Sequence, residues 1–518
     1  MRMNERSESD KIWLDGLLAV ALTVAAHVQG LWGQFVEWDD TTHITQNLAI
    51  RSLSLHNLWA MFAQPTAKLY CPLTWLSFAV DYRIWGRDPF GYRLTNLLLH
   101  VANTLLVLIL VRKILRGRFP HAATAALLTA VIFGVHPLHV ESVAWATERK
   151  DVLFVFFYLL GLLSYFRWLE GRRGVHYGIC FGLFVASVLS KSTAVTFPVV
   201  LLLIDYFPGR RKAWGEKLPF FAVSLVMAGI TFVCQAGGVG ETVALPTVIP
   251  IWARAGLVGY CSLFYIWKFF WPTHLSAVYP AFDEMHWNIP VSLGYLAAFV
   301  AITVLAFGTR RRWPAVWPSW LFYIVVLSPT IGLVPVGIHV VADRYCHLAI
   351  LGLMLPVSMA VAQAAAAVRR AGARVMLGGM LAIVFATLTL AAAQRTEIWS
   401  NTETLFLNAL KENPDCLPAH INLTVWYTGH KDFERAIQHG RRAIEIAPDG
   451  IPGRKNLAYA YINKGDRREA IRVLRPLAQH NVEDPDVWRA LADCFDALGD
   501  TNNAALARKS ERNLEGKF

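Results

Sequence analysis

A chain of 518 residues that is 55 % hydrophobic, 12 % aromatic and only 17 % charged, with a mean hydropathy of +0.39, is too apolar for a soluble fold and reads as a polytopic membrane protein. The net charge of +12 does not point to nucleic acid, because the Lys and Arg gather in short loops between apolar segments, as retention on the cytoplasmic side requires. Seven cysteines are scattered without CxxC or metal-type spacing, so neither a zinc site nor a disulfide framework is expected.

In chain order, segments apolar enough to cross a ~30 Å hydrocarbon core fall at 12–32, 92–111, 122–135, 152–169, 175–189, 193–207, 218–234, 291–307, 316–336, 345–367 and 375–393. Basic clusters at Arg112 to Arg118, Arg172–Arg173, Arg210 to Lys212, Arg310 to Arg312 and Arg369 to Arg374 occupy alternate loops, which the positive-inside rule makes cytoplasmic. The amino terminus, with Arg2, Arg6 and Lys11, joins that side, and its apolar run has no convincing cleavage site, so it is expected to be an anchor. Residues 251–271 are apolar, but counting them as a span would move Arg310 to Arg312 outside. Their aromatic residues suit a re-entrant or interfacial position. About eleven transmembrane helices then leave outer segments at 33–91, 136–151, 234–290 and 337–344, with the carboxy terminus outside.

A membrane domain of residues 1–395 is followed by a polar domain of residues 396–518. In the latter Leu423, Leu457 and Leu491 recur every 34 residues, as do Asp432, Asp466 and Asp500, and Ala436, Ala470 and Ala504. Three columns in one register signal a tetratricopeptide (TPR) α-solenoid, with small residues where paired helices touch and a turn near each Asp. Pro448 and Pro485 fall at turns between repeats. The whole chain is expected to be all-α.

The ionisable groups collect at outer span ends. Asp39 and Asp40 form an acidic pair just beyond the first span, in an outer segment long enough to be functional. The second outer segment carries His136, His139, Glu141, Arg149 and Asp151. His136 and His139 have helical i, i+3 spacing, but no Cys or third His lies nearby, so hydrogen bonding or phosphate contact is expected rather than a metal, and no cofactor is expected. Lys191 and Arg344 stand at outer ends against the charge bias; with Arg149 and Lys150 they suit a phosphate pocket, where Arg can fork two bonds to one phosphate.

These residues resemble the transmembrane and TPR repeat-containing (TMTC) O-mannosyltransferases, members of the GT-C glycosyltransferase superfamily. The resemblance rests on Asp39-Asp40 followed by Ile44 and Asn47, on Asn96 and His100 in the second span, and on His136-Pro137, His139, Glu141, Val143, Arg149 and Asp151. It extends to Lys191, Arg344-Tyr345 and the terminal repeats. The chain departs from the family at Lys191-Ser192, where the family has Lys-Glu, and at Asp343-Arg344-Tyr345, where it has Pro-Arg-Tyr. It also carries only three to four repeats.

The resemblance implies a GT-C-type helical bundle and an inverting hexosyltransferase of EC 2.4 class. Such an enzyme moves a sugar, by family mannose, from a polyprenyl-phosphate donor to a Ser or Thr hydroxyl of a protein or peptide acceptor at the outer face. Asp39 is the first choice for general base and Asp40 the second. His136, His139 and Glu141 would orient sugar or acceptor, and Arg149, Lys191 and Arg344 would hold the donor phosphate. The membrane would be a bacterial cytoplasmic or ER membrane, the TPR domain outside could hold the acceptor, and membrane lipids are partners. A transporter or flippase for a lipid-linked saccharide would place its charges at the midplane of broken helices, and a TPR-bearing scaffold would leave the acidic pair unexplained.

Overall fold

The computed structural model describes residues 2–206, 214–236, 250–280, 285, 287–331, 340–480 and 482–515. Arg210, Arg211 and Lys212, residue 207 and residues 332–336 of two expected spans, residues 337–339 and much of the expected 234–290 segment lie outside the described residues. The regular structure described is helical throughout. The chain divides into two compact units, one ending at Asn401 and one running from Thr402.

The first unit holds α1 (Arg2–His27), α2 (Leu55–Ala63), α3 (Pro72–Trp85), α4 (Pro89–Leu115), α5 (Ala122–Val135), α6 (Val140–Ala144), α7 (Arg149–Gly171) and α8 (Gly174–Ser190). It continues with α9 (Phe197–Tyr206), α10 (Leu218–Ala236), α11 (Ile251–Phe270), α12 (Ile289–Gly308), α13 (Val316–Leu327), α14 (Leu351–Ala367) and α15 (Ala371–Ile398). Among the described residues six helices are long and apolar enough to cross a membrane, and α5 with the Pro137–Ala144 segment makes a seventh bent by 52°. The apolar segments at Gly174–Ser190, Ser192–Tyr206, Val316–Thr330 and Leu351–Ala367 form shorter helices.

Burial orders these helices. In α7 67 % of the apolar window is buried and in α4 50 %, against 6 % in α15, so α4 and α7 form the interior. The outer helices turn Leu14, Leu17, Met376, Met380 and Ile383 outward, a surface suited to lipid rather than water. Residues 251–270, expected to be re-entrant or interfacial, form one unbroken helix. It packs closely on α12 because Gly256 and Gly259 leave room for the backbone at Ser292 and Tyr295; a Cβ on Gly256 would lie 2.6 Å from Ser292.

The expected outer segments are folded elements rather than open loops. Residues 33–91 carry α2 and α3, and Ile44, Ile50, Met61, Cys71, Trp75, Phe78 and Tyr92 build a core of their own there. Residues 136–151 are buried throughout and run as short helical turns, Pro137–His139, α6 and Ala146–Glu148, into α7. At the other end α15 continues beyond its apolar run, because Arg395 and Thr396 are buried and the Thr396 hydroxyl donates to Ala392 O at 2.8 Å. The second unit therefore begins at Thr402, later than the change of composition at 396 suggests.

The second unit comprises α16 (Thr402–Glu412), α17 (Leu417–Gly429), α18 (Phe433–Ile446), α19 (Ile451–Lys464), α20 (Arg467–Gln479), α21 (Pro485–Ala497) and α22 (Thr501–Glu515). Its three sequence columns have distinct physical jobs. Leu423, Leu457 and Leu491 are buried on α17, α19 and α21, and Ala436, Ala470 and Ala504 are buried on α18, α20 and α22. Asp432 caps α18 by accepting from Arg435 N at 3.2 Å, and Asp500 caps α22 by accepting from Asn503 N at 3.2 Å, as short acidic side chains do at helix starts. Pro485 opens α21 and Pro448 lies in the turn before α19.

Candidate active site

The acidic pair sits in a tight turn that divides its two members. Arg93 of α4 pins the preceding chain by donating to Gly30 O at 3.1 Å, to Trp399 O at 2.8 Å and to Gln34 O. Asp40 then points inward and is fully buried. Its carboxylate accepts from Val36 N and Thr147 N, both at 2.9 Å, and from the Thr147 hydroxyl. Burial pushes its pKa above the ordinary carboxylate value, against the hydrogen bonds from Thr147 and Val36 and the charge of Arg93. Asp39 is half-buried, and among the described residues its carboxylate accepts no hydrogen bond.

Immediately after the pair, Gln46 N donates to Thr41 O at 2.9 Å, closing a wide i→i+5 turn over Thr41–Thr45; such turns recur at functional sites. This one buries His43, whose ring stacks on Trp75 with centroids 4.9 Å apart. The imidazole is pushed down to about 4 by burial and by Lys150, against Asp39 and Glu148, so it is neutral at physiological pH. Asp39 interacts electrostatically with both His43 and Lys150.

Lys150 belongs to an ion cluster where the 136–151 segment meets the starts of two other elements. Arg344 bonds Glu141 and lies 3.5 Å from Glu148, Lys150 lies 3.1 Å from Glu148, and Lys191 bonds Asp151 and lies 3.8 Å from Glu148. Ser142 donates to Asp151 at 3.0 Å. Three cations thus balance three carboxylates. Exposure is unequal: the side chains of Lys191, Arg344 and Lys150 are 15, 10 and 9 % exposed, those of Asp151, Glu141 and Glu148 1, 0 and 1 %. The carboxylates are the more deeply buried members, and Lys191 and Arg344 keep the most surface, so a ligand reaching the cluster meets positive charge beside Asp151. Asp151, Lys191, Arg344 and His347 line a small cavity here whose walls include Phe154, Val326 and Leu348.

The structure therefore gathers Asp39, Glu141, Lys191 and Arg344, and departs from the sequence reading at three positions. Arg149, expected at the phosphate, is fully buried and turned into the bundle; it donates to Asp81 at 2.6 Å, Tyr92 O at 2.7 Å, Ser77 at 3.3 Å and the Asn96 side chain. Adjacent residues at a helix start project about 100° apart, so Lys150, not Arg149, faces the cluster. His136 spends both ring nitrogens on structure, with Phe269 O 3.0 Å from Nε2 and Leu138 N donating to Nδ1 at 3.3 Å, and is not free to orient a ligand. Asp40, unlike Asp39, is fully buried and accepts from three donors.

The comparisons bear on the chain as a whole. A family model described as "Dolichyl-phosphate-mannose-protein mannosyltransferase" matches residues 72–234, and one described as "Tetratricopeptide repeat" matches residues 427–494. Protein O-mannosyl-transferase Tmtc3 of Drosophila melanogaster is 23 % identical over 516 residues, covering 82 % of this chain and 54 % of its own. Protein O-mannosyl-transferase TMTC1 of Homo sapiens is 24 % identical over 494 residues, covering 83 % and 54 %. The chain is similar over most of its length to the TMTC protein O-mannosyl-transferases. It spans about half the length of the curated relatives it matches. Among solved structures, ArnT from Cupriavidus metallidurans bound to undecaprenyl phosphate aligns over 90 % of this chain and 80 % of that one, at 13 % identity and a TM-score of 0.37.

Within this chain the match to residues 72–234 takes in Glu141, Lys150 and Lys191 but neither Asp39 nor Arg344, so the site depends on both flanks of that region. Sequence reasoning missed His43 and His347 and did not set Lys150 apart from Arg149. Each lay within four residues of a predicted site residue. Helical phase at 149–150 and an i, i+4 or i, i+3 offset from Asp39 and Arg344 are the signals that could have found them.

Proposed function

We propose that the protein is an inverting glycosyltransferase that moves mannose from a polyprenyl-phosphate donor to a Ser or Thr hydroxyl of a protein acceptor at the outer face of the membrane. The observation that carries this reading is the half-buried carboxylate of Asp39, which accepts no hydrogen bond among the described residues, beside an ion cluster whose cations Lys191 and Arg344 are less buried than their carboxylate partners. Names of the TMTC relatives supply the sugar and the class of acceptor.

In the reaction the acceptor hydroxyl gives its proton to Asp39 while its oxygen attacks the anomeric carbon. The bond from that carbon to the donor phosphate breaks, and its electron pair leaves with the phosphate. Removal of the proton as the new bond forms is worth about 10²- to 10⁴-fold. The leaving phosphate is already a weak base and needs no proton; Arg344, Lys191 and Lys150 stabilise its charge, and because they are fixed before the donor arrives little reorganisation is needed. Asp40 acts through the backbone, holding the turn so that Asp39 points outward. Glu141 and Glu148 hold Arg344 and Lys150 in place, and Asp151 holds Lys191.

The positive-inside pattern supports an amino terminus in the cytoplasm and repeats outside, in a bacterial cytoplasmic or an ER membrane, where the repeats would meet acceptor protein. The test is purified protein in lipid, supplied with a polyprenyl-phosphate mannose and a Ser/Thr peptide. Mannosyl peptide with the anomeric configuration opposite to the donor's is expected by mass spectrometry and NMR. Retention of configuration, or no transfer to any hydroxyl peptide, would overturn the reading.

A further inference from the structure

His347 follows Arg344 by three residues, on the turn that ends at Cys346, and so falls on the same side of the chain. It is 1 % exposed and lines the cavity together with Arg344, Lys191 and Asp151. Its Nδ1 lies 2.7 Å from Nδ1 of His139, and the two rings meet edge to face with centroids 4.4 Å apart. Phe133 packs on both rings. The Nε2 atoms of His139 and His347 are buried and have no hydrogen-bond partner.

A contact of this length between two imidazole nitrogens needs one proton between them. One ring donates from Nδ1 and the other accepts there. The accepting ring, if neutral, must carry its own proton on Nε2, and the donating ring then has a bare Nε2. The pair thus has two arrangements, with the Nε2 proton either on His347 or on His139. A buried N–H without an acceptor is costly, and an oxyanion in the cavity removes that cost for His347 only.

We propose that His347 is a third anion-binding group of this cavity, that His139 positions it by accounting for the proton at Nδ1, and that the ligand is the phosphate of a lipid-linked donor or of its polyprenyl monophosphate product. The inference rests on the donor reading proposed above and extends it. Arg344 and Lys191 attract any anion through charge. His347 adds a directed N–H without adding charge, so it fixes where the phosphate oxygen sits. His139, expected from the sequence to orient sugar or acceptor, acts instead through His347.

Amide isosteres separate the two nitrogens. A glutamine amide takes the place of ring Nε2 and an asparagine amide that of Nδ1, so His347→Gln keeps a donor at the Nε2 position while His347→Asn keeps the link to His139 and withdraws that donor. Binding of undecaprenyl phosphate to the full chain in nanodiscs is measured, with inorganic phosphate and undecaprenol as competitors and the unfolding midpoint of each variant as a control. Wild type and His347→Gln are expected to bind within about threefold of each other, and His347→Asn about tenfold or more weaker, the usual loss for a hydrogen bond to a charged group. His139→Leu should lose a similar factor, and adding it to His347→Asn should lose little more, as coupled residues do. Competition by inorganic phosphate supports oxyanion recognition; equal competition by undecaprenol overturns it. Equal binding by wild type and His347→Asn overturns the role of His347 alone, whereas failure of wild type to bind undecaprenyl phosphate overturns the donor reading beneath it.

Discussion

The two ends of α7, about 34 Å apart at 1.5 Å per residue, carry buried ions that serve opposite purposes. Near its carboxy-terminal end Lys217 is fully buried and bonds Asp205, which also accepts from the Tyr165 hydroxyl at 2.8 Å. The ammonium lies 5.3 Å from the Tyr165 ring centroid and 6.0 Å from that of Trp168. At the amino-terminal end Lys191 and Arg344 keep some exposed surface over more deeply buried carboxylates, with Lys150 buried beside them. Burial of charge alone therefore does not mark a site: a closed pair ties helices together, whereas a cluster whose cations stay open is built to receive an anion. Ion pairs taken from water are weak contributors to stability and costly to break from one side, so the two ends should respond differently to the same kind of change.

The largest effect is expected beside the open end. Asp39→Asn should lower transfer by about 10²- to 10⁴-fold with no shift in the unfolding midpoint, read by peptide mannosylation and thermal unfolding on the same preparation. Lys191→Gln, which keeps a hydrogen bond to Asp151 and removes the charge, should cost about 10²-fold in kcat. The closed end inverts the pattern: Lys217→Met should destabilise the protein by about 3–5 kcal/mol because Asp205 is left unpaired, with kcat of the folded fraction unchanged. The double change Lys217→Met, Asp205→Asn should recover most of that loss. If Lys217→Met removes activity without loss of stability, the comparison fails.

A smaller effect concerns pH. The folded chain protonates His43 only near about 4, where burial holds it, while the unfolded chain takes that proton near the ordinary 6.5. The unfolded state therefore binds more protons between those values, and stability falls as pH drops through that window. His43→Gln should remove part of that slope, up to roughly 3 kcal/mol between pH 6.5 and 4, seen as a flatter plot of unfolding midpoint against pH. The smallest effect is expected of chelation. With fixed cations facing the donor phosphate, EDTA should leave transfer unchanged, and loss of activity restored by a divalent ion would show that the cluster is incomplete.

The chain's organisation was legible wherever a period or a composition carries the physics. The 34-residue columns resolved into buried Leu and Ala positions and Asp helix caps, and the apolar segments into helices. The site was legible as a set of residues at segment ends, because charge beside lipid is rarely idle. Which member of each adjacent pair faces the ligand was not. Asp39 against Asp40 depends on the turn that Arg93 pins, and Lys150 against Arg149 on where the first turn of α7 begins. His347 and His139 meet across 208 residues of sequence, a contact with no linear signature.

The account turns on a division between one proton acceptor and a separate set of anion-binding cations, and donor binding by Asp39→Asn tests it most directly. The variant should bind a polyprenyl-phosphate mannose with wild-type affinity, measured by equilibrium titration in nanodiscs, while forming mannosyl peptide about 10²- to 10⁴-fold more slowly. Wild-type transfer by Asp39→Asn, or loss of donor binding in step with loss of transfer, would contradict it.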